Sequence, residues 1–145
     1  MQGRFRKKAR EIALKVLYAY DINKADKDIN KIFEEIIEDI RDKIKENTLK
    51  YTYLLINGIE EHIDEIDKII KRYLKGWKLE RLGFIERALL RLGTYELIFL
   101  DIPDKGRVFT DILDIGKCYS LDEDALKFIN GVLSSIYKKE GKIKT

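Results

Sequence analysis

Proline, cysteine, histidine and tryptophan each occur once in the 145 residues, and no Gly-rich phosphate loop, internal repeat or metal-ligand spacing is present. Each scarcity excludes something. Cys118 alone closes no disulfide within the chain, and the isolated His62 offers no ligand cluster, so a disulfide scaffold and a Cys/His metal site both fall away and no cofactor is expected. The expected setting is a reducing, cytoplasmic one. One Pro and nine Gly leave few helix breakers, and 38% charged residues in long amphipathic stretches point to an all-helical protein. No apolar run approaches the roughly 18 residues needed to cross a bilayer. Lys15 interrupts the apolar stretch Ile12 to Tyr20, and no small-residue cleavage site follows, so no signal peptide is expected. There is also no nucleophile–base pair.

What is present is organised around Leu82 to Leu100, LGFIERALLRLGTYELIFL. Its apolar residues cover most of a helical circumference and leave Arg87, Arg91 and Thr94 as one narrow polar stripe. A helix that is apolar nearly all round is central, with other helices packed on several sides. Ahead of it, the spacing predicts helices over 4–21, 28–45 and 49–74; behind it, over 107–119 and from about Ser120 to Lys138. Ser120 reads as the N-cap of the last helix, with Glu123 completing a capping box. Lys75-Gly76-Trp77 is a break, with Trp77 anchoring the crossing into the central helix. It places three helices in residues 1–75 and about four in 76–145. The acids Glu60, Glu61, Asp64, Glu65 and Asp67 read as a hydrated ridge, with no cleft-forming residues between them.

The net charge of +3 is unevenly spread. Arg4, Arg6, Lys7, Lys8 and Arg10 crowd the first ten residues without an acid, while Lys138, Lys139, Lys142 and Lys144 outnumber Glu140 at the other end. A polyanion site and a solvated tail are both consistent with such clusters. On the first helix, Leu14 and Tyr18 lie one turn apart on the polar face and need a partner, either elsewhere in the chain or on another protein. On the last, Phe128 and Asn130 sit on opposite edges of the apolar stripe. Gly131 lies almost opposite the core, on a face shared with Asp124 and Lys127. A boundary Phe beside a Lys is either peripheral packing or a stacking platform for an unpaired base.

Four segments together carry a resemblance: RFRKKAREIALKVLY, KGWKLERLGFIERALLRLGTYEL, GRVFTDILDIGKCYS and DALKFINGVLSSIYK. In this order and across essentially the whole chain, they resemble the NusB family of bacterial transcription antitermination factors. The resemblance implies an all-α single domain, residues 1–145, of about seven helices in two packed subdomains. It also implies a non-enzymatic role: binding boxA RNA together with the ribosomal protein NusE, within RNA polymerase antitermination complexes acting on ribosomal RNA operons. Some members self-associate, so a homodimer is among the states implied. Carried over by position, the family's RNA contacts fall on Arg4, Arg6, Lys7, Lys8, Arg10, Asp124, Lys127, Phe128 and Asn130. Its partner contacts fall on Tyr18 and Glu86, with Leu14 beside Tyr18. Arg87 and Arg91 extend the basic surface by spacing alone. Two rival readings are a protein–protein adaptor without RNA, and a fragment related to the helical domain of RNA cytosine methyltransferases.

Overall fold

The computed structural model describes residues 4–24 and 26–141; Lys142 and Lys144 of the C-terminal basic patch lie outside them. Among the described residues there are seven α-helices and no strand, and no helix is long and apolar enough to cross a membrane. The chain divides into two compact units, with the division between Glu61 and His62.

The first unit holds α1 (Arg4–Ile22), α2 (Ile29–Ile37) and α3 (Glu46–Glu61). All three pack on one another, with Ile12, Val16 and Leu17 of α1, Ile32 and Phe33 of α2, and Leu55, Ile56 and Ile59 of α3 buried. Each such side chain contributes roughly 1.5–3 kcal/mol on burial. Polar ties fix the packing: Asn30 and Asn57 exchange amide hydrogen bonds at 3.0 Å, and Tyr20 donates to Glu60 at 2.9 Å. Glu60 is therefore more than part of a hydrated ridge. Asp28 caps α2 by accepting from the Asn30 amide at 2.9 Å. The helix expected over 28–45 stops early, at Ile37. Bonds from Ile40 to Ile37 and from Lys43 to Ile40 tighten the chain into a turn, Arg41–Lys43 is a short 3₁₀ segment, and Ile44 is extended. Isoleucines at helical spacing satisfy that path equally well, because Ile40 and Ile44 are only half-buried in it.

The second unit holds α4 (Ile63–Arg72), α5 (Phe84–Thr94), α6 (Lys105–Cys118) and α7 (Glu123–Glu140). The single helix expected over 49–74 is thus two, and the unit division falls inside it rather than after Lys75. The reason lies at His62, which leaves helical geometry (φ −109°, ψ 18°) and packs tilted against Phe99 at 5.0 Å and stacked with Tyr95 at 6.4 Å. Both rings lie on a π turn, Tyr95–Phe99, that continues α5. Lys105 closes that turn by donating to the Leu100 carbonyl at 2.8 Å.

As expected, α5 is central: it packs against α4, α6 and α7. At Gly93 the neighbours come so close that a Cβ would lie 2.7 Å from Leu133 and 2.8 Å from Ile112. Its polar stripe is used inside the unit. Arg91 donates to both oxygens of Asp67 at 2.9 Å, Arg87 donates to the Leu79 and Glu80 carbonyls, and Thr94 is buried. Asp122, not Ser120, caps α7 by accepting from the Ala125 amide at 2.8 Å. Ser120 instead takes a left-handed conformation (φ 65°) after α6, where the Leu121 amide returns to the Gly116 carbonyl. That bond closes a Schellman-type helix end and leaves the serine unable to start the next helix.

Glu140 ties α7 to α4, accepting from the Tyr73 hydroxyl at 2.6 Å and from Arg72 at 3.1 Å. The Tyr73 bond and the Arg72 guanidinium hold the Glu140 carboxyl below its ordinary range, against the opposing effect of burial. The same bond, with burial, raises the Tyr73 phenol. A depressed carboxyl contributes stability above its unfolded pKa, about 4.3, and loses it as pH falls through the lower folded value. Acidification below about pH 4.3 should therefore lower the melting temperature of the native chain. Glu140→Gln should melt lower at neutral pH and show a shallower decline on the acid side, as thermal melts across a pH series would report.

Candidate nucleic-acid interface

The five cations at the start of α1 do not share one fate. Arg10 is only 1% exposed, so its expected role as an RNA contact is corrected: it is an interior residue. Leu14 is fully buried as well, and its expected place on a partner-facing pair is corrected in the same way. One cause underlies both. α1 packs against both α2 and α3, so its buried arc is wide enough to take in positions 10 and 14 as well as the apolar stripe of Ala9, Ile12, Ala13, Val16 and Leu17. Arg6 is half-buried, with its guanidinium 4.8 Å from the Phe5 ring centroid and 5.4 Å from that of Tyr51. Such a cation–π arrangement is a packing role. Lys7 is half-buried, whereas Arg4 and Lys8 stay exposed, one helical turn apart.

Arg4 and Lys8 line a cleft of about 650 Å³ whose opposite wall carries Lys43 and Lys45. Phe5 and Ile44 supply its apolar surface, and Asn47 and Thr48 bring in the first turn of α3. The two lysines are invisible to helical periodicity, because the run from 28 to 45 passes for one solvated helix. The signal available in the sequence is the KIK triplet ahead of a helix start.

In the second unit, Phe128 is half-buried and packs edge-on against Trp77, with centroids 6.1 Å apart and planes at 65°. Trp77 is 63% exposed and presents far more free ring than Phe128 does. It is thus more than an anchor into the central helix. Asp124, Lys127, Asn130 and Gly131 are all exposed. Asp124, Lys127 and Gly131 recur at helical spacing on one face, and a Cβ at Gly131 would meet nothing within 4 Å. Nothing inside the chain therefore requires glycine there, although glycine in an exposed helix costs about 1 kcal/mol relative to alanine.

Arg91 is bound to Asp67 with only 13% of its side chain exposed, so it does not extend the basic surface. Arg87 is half-buried and lies over the Phe84 ring at 4.7 Å. Glu86 is half-buried in the first turn of α5, close enough to its N-cap that a Cβ at Gly83 would lie 2.5 Å from the carboxylate. There it faces the positive end of the helix dipole. Tyr18 is 38% exposed, and its exposed apolar neighbour is Ile22, one turn onward at 43%, rather than Leu14.

Helical scaffolding, exposed aromatics and a cationic cleft define a small all-α binding protein. Among the described residues no group of three or more His, Cys, Asp or Glu could hold a metal ion. Residues 7–138 match the NusB family profile. The transcription antitermination protein NusB of Persephonella marina is 56% identical over 141 residues, covering 97% of this chain and 98% of the relative. A crystal structure of antitermination factors NusB and NusE in complex with dsRNA contains a chain 44% identical, with TM-score 0.83, covering 93% of this chain and 97% of that one. A chain from the crystal structure of a plectonemic RNA supercoil is 45% identical, with TM-score 0.86, covering 98% and 99%. This chain belongs to the NusB family of non-enzymatic transcription antitermination factors.

The sorting of α1 has a direct test. Leu14→Ala should lower unfolding free energy by roughly 2–5 kcal/mol, as truncation of a buried leucine does, and Arg10→Ala should also lower it clearly, through lost packing and partners left unpaired. Tyr18→Ala should lower it by much less. Chemical denaturation of the three variants checks this, and equal losses at all three would refute the division.

Proposed function

We propose that this chain works as an RNA-binding antitermination factor that pairs with a NusE-type ribosomal protein and recognises boxA-type RNA in the cytoplasm. It would act within RNA polymerase complexes transcribing ribosomal RNA operons. The observation that carries the reading is the full-length likeness to a chain solved with NusE and dsRNA. The surfaces of the two units support it independently. Arg4 and Lys8 are exposed cations for phosphates, while Lys7 sits half-buried beside them. In the second unit Trp77 and Phe128 provide ring surface for a base, and Lys127 and Asn130 add exposed polar donors on the same helix. Asp124 on that face tunes affinity rather than supplying it. Tyr18 with Ile22, and separately Glu86, are the proposed partner contacts.

Fluorescence anisotropy with a labelled boxA RNA, with and without the NusE-type protein, tests the whole. Tight binding that needs both proteins is the expected result. Partner binding with no RNA binding in any combination would leave a protein–protein adaptor instead. Trp77→Ala and Phe128→Ala should each cost roughly 1–3 kcal/mol of RNA affinity if bases stack there, with the salt dependence unchanged because neither ring neutralises a phosphate. Gly131→Ala should raise the melting temperature of the free protein yet weaken RNA binding. A gain in stability without any loss of binding would show that nothing approaches that face.

Tyr18→Asp should abolish pull-down of the NusE-type protein while leaving the fold intact. Glu86→Lys requires a folding control, because reversing a charge in the first turn of a helix costs about 0.3–1 kcal/mol by itself.

A further inference from the structure

The cleft between the start of α1 and the turn before α3 has a composition that the fold does not need. Arg4, Lys8, Lys43 and Lys45 line it together, and no acid does. Arg41, the other cation of that turn, is paired with Glu34, and Lys50 with Glu46 at 3.9 Å. Lys8 has only an exposed contact to Glu11 at 3.7 Å. Among the described residues Arg4, Lys43 and Lys45 have no ion pair. Asp42 and Glu46 flank the two lysines in the chain, yet no acid lines the cleft itself, and an anion there offsets the mutual repulsion of its cations.

The geometry is also suited to a backbone phosphate. The 3₁₀ segment Arg41–Lys43 is followed by an extended Ile44 whose amide bonds back to Arg41 at 3.2 Å. That bond fixes the turn from which Lys43 and Lys45 project into the cleft. Asn47 and Thr48 lie in the first turn of α3, where amide groups have no partner within the helix and the dipole favours negative charge. A volume of about 650 Å³ falls within the range of small-ligand sites, and Phe5 gives it an apolar wall.

We propose that this cleft is a phosphodiester-binding station for RNA, with Lys43 and Lys45 as contacts additional to the N-terminal cations. The proposal rests on the RNA-binding reading above and extends it to a loop and a helix start that the family resemblance did not mark.

The test is a Lys43→Gln/Lys45→Gln double variant, with Lys31→Gln/Lys117→Gln as a control carrying the same charge change on exposed lysines outside the cleft. Binding of labelled single-stranded and duplex RNA is measured by anisotropy across a salt series. The cleft variant should bind more weakly. For the single strand its slope of log K against log salt should be shallower by about 0.7 for each phosphate that the variant no longer neutralises. Weakening confined to one of the two RNA forms identifies which of them enters the cleft. Helix content by circular dichroism and pull-down of the NusE-type protein should match the native chain. Native binding with no change in the cleft variant, or an equal change in the control, overturns the proposal while leaving the RNA reading standing. No binding of either RNA by the native chain, with its partner present, overturns both.

Discussion

The second unit depends on how closely its neighbours approach α5. Leu133 and Ile112 come within 3 Å of where a Cβ would stand on Gly93, so α6 and α7 lie directly against the α5 backbone. α4 closes another side, where Arg91 reaches Asp67 with two hydrogen bonds. A helix so enclosed keeps little polar face for solvent: Arg87 and Arg91 become internal ties and Thr94 is buried, while Glu86 in the first turn stays half-exposed. The surfaces proposed for RNA and for the partner are, in this unit, carried by elements held against this helix. Trp77 enters the unit ahead of α5, Phe128 is presented by α7, and Glu86 lies in the first turn of α5 itself.

Cations in this protein divide by environment rather than by position in the chain. Arg10, Arg91 and, largely, Arg6 work inside: one buried, one bound bidentately to a carboxylate, one held over two rings. Arginine suits such places because its planar, weakly hydrated guanidinium can be stacked and paired at less cost than an ammonium group. Most lysines, with strongly hydrated heads, stay at the surface, and Lys43 and Lys45 meet Arg4 and Lys8 in the cleft. A tally of basic residues in the first ten therefore overstates the charge facing solvent there and omits charge that the α2–α3 turn supplies. Charge density at the cleft is a property of the first unit, not of its N-terminal segment.

The candidate sites are legible in the sequence in proportion to how locally they are determined. Phe128 at the edge of its stripe, exposed Lys127 and Asn130, and the partly exposed Tyr18 all follow from one helix's periodicity. Leu14 is misplaced by the same reasoning because periodicity gives the direction of a side chain and not the number of neighbours around the helix. Trp77 stands out as a break residue, but its pairing with Phe128 joins positions 51 residues apart in sequence.

By itself the sequence determined the helical class, the central place of Leu82 to Leu100, the cationic start, the absence of a membrane-length apolar run and, through its motifs, the family. These are properties of composition and of residues a few positions apart, where helical geometry fixes which side chains share a face. Tertiary structure alone decided that α2 ends at Ile37, that His62 breaks the long third stretch, that Ser120 ends a helix instead of starting one, and that Arg10 and Leu14 are interior. Each of these turns on contacts with other elements or on a local backbone conformation: rings packed against His62, a left-handed residue closing α6, two helices enclosing α1. A one-dimensional pattern of apolar and polar positions is compatible with either outcome, and packing selects between them.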